Sequence, residues 1–301
     1  MRDAACPLRG RTAVVTGAAR GIGAAMAVRL DRRGVNVALL GREGSRLAAV
    51  TSSLSGRALC WEVDVTDEDA MERVAGDVRD RLGPVSVVVA NAGVAEGGPF
   101  ARSDPATWRR VIEVNLIGSA ITARAFLPDL LASHGYYLQI ASLASIGAAP
   151  MMSAYCASKA GVESFAHSLR AELAHEGVGV GIAYVNWTDT DMIRDADQHP
   201  VLRELRAHMP KPARKVYPVE TVAARAVRAV ERRSAAVYAP AWLRATQFVR
   251  AAMPPVVTLL SKYELPRLER KNTFAATGLL GAGGRADTTG SERSRSGQPE
   301  G

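Results

Sequence analysis

Short apolar runs and longer stretches with apolar residues at every third or fourth position take turns along most of this chain. Arg11 to Thr16 reads as a strand and Ala24 to Arg33 as a helix, followed by a second apolar run at Val35 to Leu40. The alternation continues through a strand at Ala58 to Val63, an amphipathic helix from Asp67 to Leu82 capped by Thr66 or Asp67, and a buried strand at Val85 to Ala90. A long helix over about Pro105 to Leu131, a strand at Tyr136 to Ala141, a helix from Met152 to His175 and a strand at Val178 to Val185 come next. The helix Val219 to Arg232 and a short run at Ala235 to Ala239 close the series. Strands separated in this way by helices predict an α/β fold, a doubly wound parallel sheet of about seven strands covered on both faces.

Three features interrupt the apolar pattern, and each suggests chemistry. Thr16-Gly17-Ala18-Ala19-Arg20-Gly21-Ile22-Gly23 lies between a strand and a helix. Glycines there let the backbone approach a pyrophosphate while the helix N-terminus offers unpaired N–H groups and a positive dipole end, although glycines also serve plain turns. Asn115 is an amide inside the apolar stretch Val111 to Ile117, and a buried amide requires partners. Tyr155 and Lys159 stand four residues apart, on one face of a helix, where a cation beside a phenol favours the phenolate and makes an acid-base pair. The same spacing also occurs on ordinary solvated helices.

Composition narrows the field. With 301 residues, 48% of them hydrophobic, the chain can bury one full core and has an appendage to spare. The N-terminus carries Arg2 and Asp3 and no apolar leader, and no uncharged run is long enough to span a bilayer, so a cytoplasmic location is expected, with peripheral membrane contact as the competing reading. Cys6, Cys60 and Cys156 are far apart, and the five histidines form no ligand pattern; no metal is expected. The formal charge of +8 is regional: Arg203 to Arg250 holds eleven Lys and Arg against three Glu. That region lacks a nucleic-acid recognition motif and interleaved aromatics, so no nucleic-acid partner is expected.

Taken together, the motifs resemble those of the classical short-chain dehydrogenases/reductases from about Arg9 to Ala239. The resemblance rests on the glycine loop Thr16 to Gly23, Asp64-Val65, Asn91-Ala92-Gly93, Asn115, Ser142 and Tyr155-x3-Lys159, with Ser142 thirteen residues before Tyr155 and twenty-seven after Asn115. It implies a Rossmann-type catalytic domain over 1–240, a substrate lid at about 190–218 and a homo-oligomer. It also implies Tyr155 as proton donor or acceptor, Lys159 lowering its pKa and holding the nicotinamide ribose, Ser142 hydrogen-bonding the substrate oxygen, and Asn115 holding the helix and a water that connects Lys159 to solvent. Gly17, Gly21, Ile22 and Gly23 would cradle the cofactor, Asn91, Ala92 and Gly93 would line it, and Thr190 would bind its carboxamide. Asp64, with Val65 beside it, would receive the adenine amino group; a helix cap is the other reading of Asp64. For Ser142 alone the other reading is a cap, and for Asn115 a satisfied core amide.

The second strand ends Leu39-Leu40-Gly41-Arg42 without a carboxylate, and Arg20 stands in the glycine loop. Two guanidiniums there could bracket a 2'-phosphate, so NADP(H) is expected over NAD(H). Two departures from the family pattern stand out. Val185-Asn186-Trp187-Thr188 replaces the usual Pro-Gly turn, where Asn186 would tolerate positive φ, and Ala141 replaces a serine.

Asp191 to Pro218 is polar and proline-punctuated and carries no readable substrate code. Trp242, Ala245, Val249 and Met253 predict an amphipathic helix broken by Pro254-Pro255, within a basic extension over 241–272. The extension either packs over the cleft or against a partner subunit, or lies on an anionic membrane. Residues 273–301, rich in Gly, Ser, Thr and Arg, are expected to be disordered and without chemistry. The reading is therefore an NADP(H)-dependent oxidoreductase interconverting a carbonyl and an alcohol, with a small hydrophobic substrate; imine or enoyl reduction stays open. The alternative is a non-catalytic NADP(H)-binding regulatory or scaffold protein of the same fold.

Overall fold

The computed structural model describes residues 7–271 and 274–286. Seven parallel strands run β1 (Thr12–Thr16), β2 (Asn36–Gly41), β3 (Ala58–Glu62), β4 (Val85–Ala90), β5 (Tyr136–Ser142), β6 (Gly179–Val185) and β7 (Ala236–Ala239), in spatial order β3-β2-β1-β4-β5-β6-β7. Their side chains divide by alternation, as the two-residue period of a strand requires. Val14, Ala38, Leu40, Val88 and Tyr137 face one layer; Ala13, Val15, Val37, Leu39, Val87 and Val89 face the other. Every residue of β1, β4 and β5 is buried, as expected for a sheet covered on both sides.

The helices are α1 (Gly21–Asp31), α2 (Gly44–Ser52), α3 (Glu68–Leu82), α4 (Pro105–Ile112), α5 (Gly118–Ala132), α6 (Ser153–Leu173), α7 (Asp191–Ala196), α8 (Pro200–Ala207), α9 (Lys211–Arg214), α10 (Val219–Arg232), α11 (Leu243–Thr246) and α12 (Met253–Lys271). Residues from α1, α2 and α10 cover one face, and residues from α3, α4, α5 and α6 the other. The periodicity misses α2, a short helix with one buried anchor, Leu47. It reads α4 and α5 as one helix; the structure joins them through a π-helical turn, Glu113–Ile117, that contains Asn115. The run Pro105–Ala132 is apolar and long enough to cross a membrane by composition, yet half of its most apolar window is buried inside the protein. Asp67, not Thr66, caps α3 by accepting from the Ala70 N–H at 2.9 Å.

The C-terminal part departs from the sequence reading in two places. The helix expected over Trp242 to Met253 is interrupted: α11 ends at Thr246, and a separate 3₁₀ turn spans Arg250–Ala252. Arg250 there donates to both oxygens of Glu163, each at 3.1 Å, and that carboxylate is buried and already accepts from the Tyr184 hydroxyl. A buried carboxylate requires a cation, and the bend delivers one. Pro254 and Pro255 do not break a helix either. They lie in the first turn of α12, where missing N–H groups forfeit no intrahelical bond.

The segment expected to be disordered is folded over part of its length. Thr277 N–H donates to the Gly97 carbonyl at 2.8 Å and Leu280 N–H to the Ala95 carbonyl at 2.7 Å, while Leu279 bridges Glu96 in antiparallel fashion. Composition hid this, because few large apolar residues anchor the segment: Phe274 and Leu280 are buried, 7% and 1% exposed, and Leu279 packs against the core. Residues 287–301, and the expectation of disorder for them, lie outside the described residues, as does Cys6.

Candidate active site

The strand order reverses between β1 and β4, and a crevice opens beyond their C-terminal ends, as open α/β sheets dictate. Gly17, Arg20, Gly21, Ile22, Arg42, Asp64, Val65, Asn91, Ala92, Gly93, Tyr155, Lys159 and Thr190 line this one cavity. Gly23 sits beneath it. Asn115 and Ser142 are not among the lining residues: Asn115 acts through neighbours, and Ser142 hydrogen-bonds the Tyr155 phenol.

The glycine loop is built for close approach. Gly17 has φ +63°, and a Cβ there would lie 2.8 Å from the Ala92 Cα; a Cβ on Gly23 would lie 2.4 Å from the Gly17 carbonyl oxygen. Asn91 clamps the loop, its Nδ2 donating to the Thr16 and Gly17 carbonyls at 2.9 and 3.2 Å. No side chain caps α1 at Arg20 and no acidic residue occupies its first turn. This uncapped helix end, preceded by a loop whose glycines allow close approach, fits a dinucleotide pyrophosphate.

Behind the cavity, Asn115 is fully buried and satisfied. Its Oδ1 accepts from the Val94 N–H (2.8 Å), and its Nδ2 donates to the Val94 carbonyl (2.9 Å) and the Ser158 hydroxyl (2.8 Å). Ser158 donates to the Tyr155 carbonyl at 2.8 Å, so Asn115 ties the loop after β4 to α6. The π turn leaves the Asn115 carbonyl to accept from the Ser119 hydroxyl at 2.7 Å.

Tyr155 and Lys159 share one face of α6, with the Lys159 Nζ 5.7 Å from the phenol ring centre. Lys159 donates to the Ile140 carbonyl at 3.2 Å. Burial pushes its pKa down to about 8. Burial pushes the Tyr155 phenol up to about 12, against a hydrogen bond from Ser142 that favours the phenolate. The expectation that Lys159 lowers the phenol is thus not met in this arrangement, because desolvation dominates both groups. Ser142 also caps the turn Leu143–Ser145, its Oγ accepting from the Ala144 N–H at 3.2 Å. Since that bond uses a lone pair, the hydroxyl proton is available to another oxygen.

The cofactor's far end differs from the expectation. Arg20 is not half of an open bracket: its Nε donates to Glu43 at 2.7 Å and its Nη1 to Asp191 at 2.6 Å. The Arg42 Nε lies 3.6 Å from Asp64, whose carboxylate also accepts from Arg110 at 2.5 Å and from the Thr66 N–H at 3.0 Å. Burial alone would raise the Asp64 pKa, but the Thr66 and Arg110 contacts hold it below the usual carboxylate range. Asp64 is therefore not the cap of α3, and its carboxylate, which lines the cavity, is already engaged by Thr66 and Arg110. Glu43 lines the cavity one residue past Arg42, so a carboxylate does stand beyond β2, where the sequence reading saw none. Its adjacency to Arg42 was the available signal. Arg110 and Asp191 gave none, since their partners are 46 and 171 residues away.

After β6, Asn186 takes no positive φ. Its Nδ2 donates to the Ala213 carbonyl at 2.9 Å, and its N–H donates to the Ala239 carbonyl at 3.2 Å, so the turn without Pro-Gly is held by tertiary bonds. Thr190, at the head of α7, closes on Gly21: a Cβ there would lie 3.1 Å from its Cγ2. On the substrate side Ala95, Ala196, Leu202 and Leu280 form a small buried apolar cluster packed against Met151, Met152, Met192 and Tyr155.

The short chain dehydrogenase family matches residues 11–200. The chain is a short-chain dehydrogenase. It is 33% identical to a short chain dehydrogenase of Pseudocercospora fijiensis, over 69% of this chain and 71% of the relative. It is 35% identical to cis-4-hydroxycyclohexanecarboxylate dehydrogenase of Sinomonas cyclohexanicum, over 61% of this chain and 75% of the relative. Its fold is similar to the crystal structure of a short chain dehydrogenase/reductase from Burkholderia phymatum in complex with NAD, with TM-score 0.71 and 25% identity, covering 80% of this chain and 92% of that one. The dehydrogenase belongs to a family of oxidoreductases that use a nicotinamide cofactor, and its uncapped α1 terminus suits that group. The family match ends at residue 200, at the start of α8.

Proposed function

We propose that this dehydrogenase interconverts a carbonyl and an alcohol on a small hydrophobic substrate with NADP(H), Tyr155 serving as proton donor and acceptor. The observation that carries the reading is the position of Tyr155, which lines the cofactor cavity and packs against the apolar cluster of Ala95, Ala196, Leu202 and Leu280. A phenol held near pKa 12 is protonated at neutral pH and ready to act as an acid toward a carbonyl oxygen. The Ser142 proton stabilises charge developing on the same oxygen. Lys159, largely charged at neutral pH, holds the phenolate left behind and the ribose. The dinucleotide, when bound, supplies or accepts the hydride. In oxidation the tyrosine takes the proton back.

NADP(H) is favoured by Arg42, a guanidinium just past β2 that lines the cavity. NAD(H) is the second reading, favoured by Glu43, which could accept ribose hydroxyls if it let go of Arg20. Assembly as a homo-oligomer goes with the proposal on the strength of the resemblance, and a cytoplasmic location is proposed beside it. Binding of NADPH and NADH to the wild type and to Arg42→Asp tests the preference. NADPH should bind at least about tenfold more tightly, and the substitution should erase most of that difference; equal affinities refute it. For the reaction, Tyr155→Phe should lower turnover by roughly a thousandfold while NADPH affinity stays within about twofold. Absence of NADPH turnover with any carbonyl or alcohol would count for the non-catalytic binding reading, and turnover that survives Tyr155→Phe would remove Tyr155 from the proton path.

A further inference from the structure

The α12 helix is apolar on the wrong side. Met253, Val257, Leu265 and Leu268 are at least partly buried and recur at helical spacing, as a packed face should. Val256, Leu259, Leu260 and Tyr263 recur at i, i+3, i+4 and i+7 on another face, and all are more than half exposed. Phe248 and Val249, just before the helix, are 85% and 54% exposed. These six make up all but two of the eight large hydrophobic side chains exposed among the described residues. An apolar patch concentrated in sixteen residues marks an interaction surface.

Charge identifies the partner. Arg267 and Arg270 extend the exposed stripe at i+4 and i+7 from Tyr263, on the same face, and Lys262 and Lys271 flank it. Two carboxylates stand against these four cations: the exposed Glu269, and Glu264, which is turned to Arg267 and, at 3.6 Å, to His208 beyond α8. The latter contact joins the helix to the lid, where Arg203, Arg206, Lys211, Arg214 and Lys215 line a second cleft. In a two-fold self-association the same patch meets itself, so these cations would face one another. An anionic bilayer satisfies both parts at once, with the apolar stripe in the acyl boundary and the basic residues on headgroups. The exposed stripe covers only two turns and is bounded by charge, so the helix lies on a membrane and does not cross it.

We infer that residues 248–271 dock this dehydrogenase on an anionic lipid surface, with the basic lid cleft against the headgroups. Docking itself stands apart from the proposed activity. Its consequence, delivery of lipophilic substrate beside the lid, rests on that activity.

Vesicle flotation tests the inference without requiring turnover. Full-length protein is mixed with phosphatidylcholine vesicles, with or without phosphatidylglycerol. The wild type should float with the anionic vesicles and at least about tenfold less with neutral ones. Leu259→Gln/Leu260→Gln/Tyr263→Gln should lose at least about tenfold of the binding, with melting temperature and NADPH binding unchanged. Arg267→Gln/Arg270→Gln should lower binding to anionic vesicles only, by about thirtyfold at roughly 1 kcal/mol for each charge. The inference is overturned if the wild type stays in the aqueous phase, if the triple variant floats as the wild type does, or if that variant converts a wild-type dimer to a monomer, which would make the occupant a second copy.

Discussion

The two halves of the cleft are built in different ways. The cofactor half is a lattice of short-range polar bonds: Thr16, Asn91 and the glycine loop hold one another with side-chain to backbone bonds, and their tight contacts leave no room for a Cβ. The substrate half is closed by distant pieces of chain. Leu280 reaches α6 from the far C-terminus, and the Gly281 N–H and Arg285 both bind Asp195 of α7. Motif-bearing geometry resists change, whereas a wall borrowed from remote segments can change its lining without disturbing the strands. On the proposed reading, chemistry and specificity would reside in differently built walls of one cavity, which the glycine loop and Leu280 both line.

The sharpest way to break the first half is Gly23→Ala. Its Cβ would meet the Gly17 carbonyl oxygen at 2.4 Å and the Asn91 amide at 2.6 Å, neither of which can yield cheaply. Overpacking of about 3 kcal/mol, concentrated in the loop, should weaken NADPH binding by about a hundredfold or more. Fluorescence titration checks it, and affinity within threefold of wild type would mean the loop is softer than its bonds indicate.

The corresponding change in the second half is Leu280→Ala. It should raise KM for a hydrophobic carbonyl by about tenfold and leave NADPH affinity within about twofold. If cofactor affinity falls as much as KM rises, the two halves are not separable.

The smallest expected effect concerns Lys159, which lies where the halves meet. Its folded pKa, about 8, lies below its ordinary value, so the unfolded chain binds more protons between the two. Burying its charge destabilises the ligand-free fold fully below pH 8, and the penalty fades as pH rises through that value. Stability should gain about 1 kcal/mol from this group between pH 7 and 9, before Tyr155 opposes it above pH 10. Urea unfolding at the two pH values measures this, and Lys159→Met should flatten the difference.

Legibility in the sequence follows the same division. The strands and the helix α10 were readable because apolar period and turn residues agree locally, and Asn115, Ser142, Tyr155 and Lys159 because their spacing carries the resemblance. Four features were hidden for stated reasons. The α2 helix has a single buried anchor. The pairing of Arg20 with Glu43 and Asp191 spans loops that only the fold brings together. The bend before Arg250 answers to a carboxylate 87 residues earlier. Leu280 lies in a stretch whose composition reads as unstructured.

By itself, then, the sequence determined the parallel α/β order, the crevice at its switch point and the residues of the proposed proton path, because each depends on periodicity or on a short motif. Tertiary structure alone decided which guanidiniums are already paired, which wall the substrate meets and which face of α12 looks outward. Those outcomes depend on contacts between residues tens to hundreds of positions apart, and local propensity says nothing about where such residues meet.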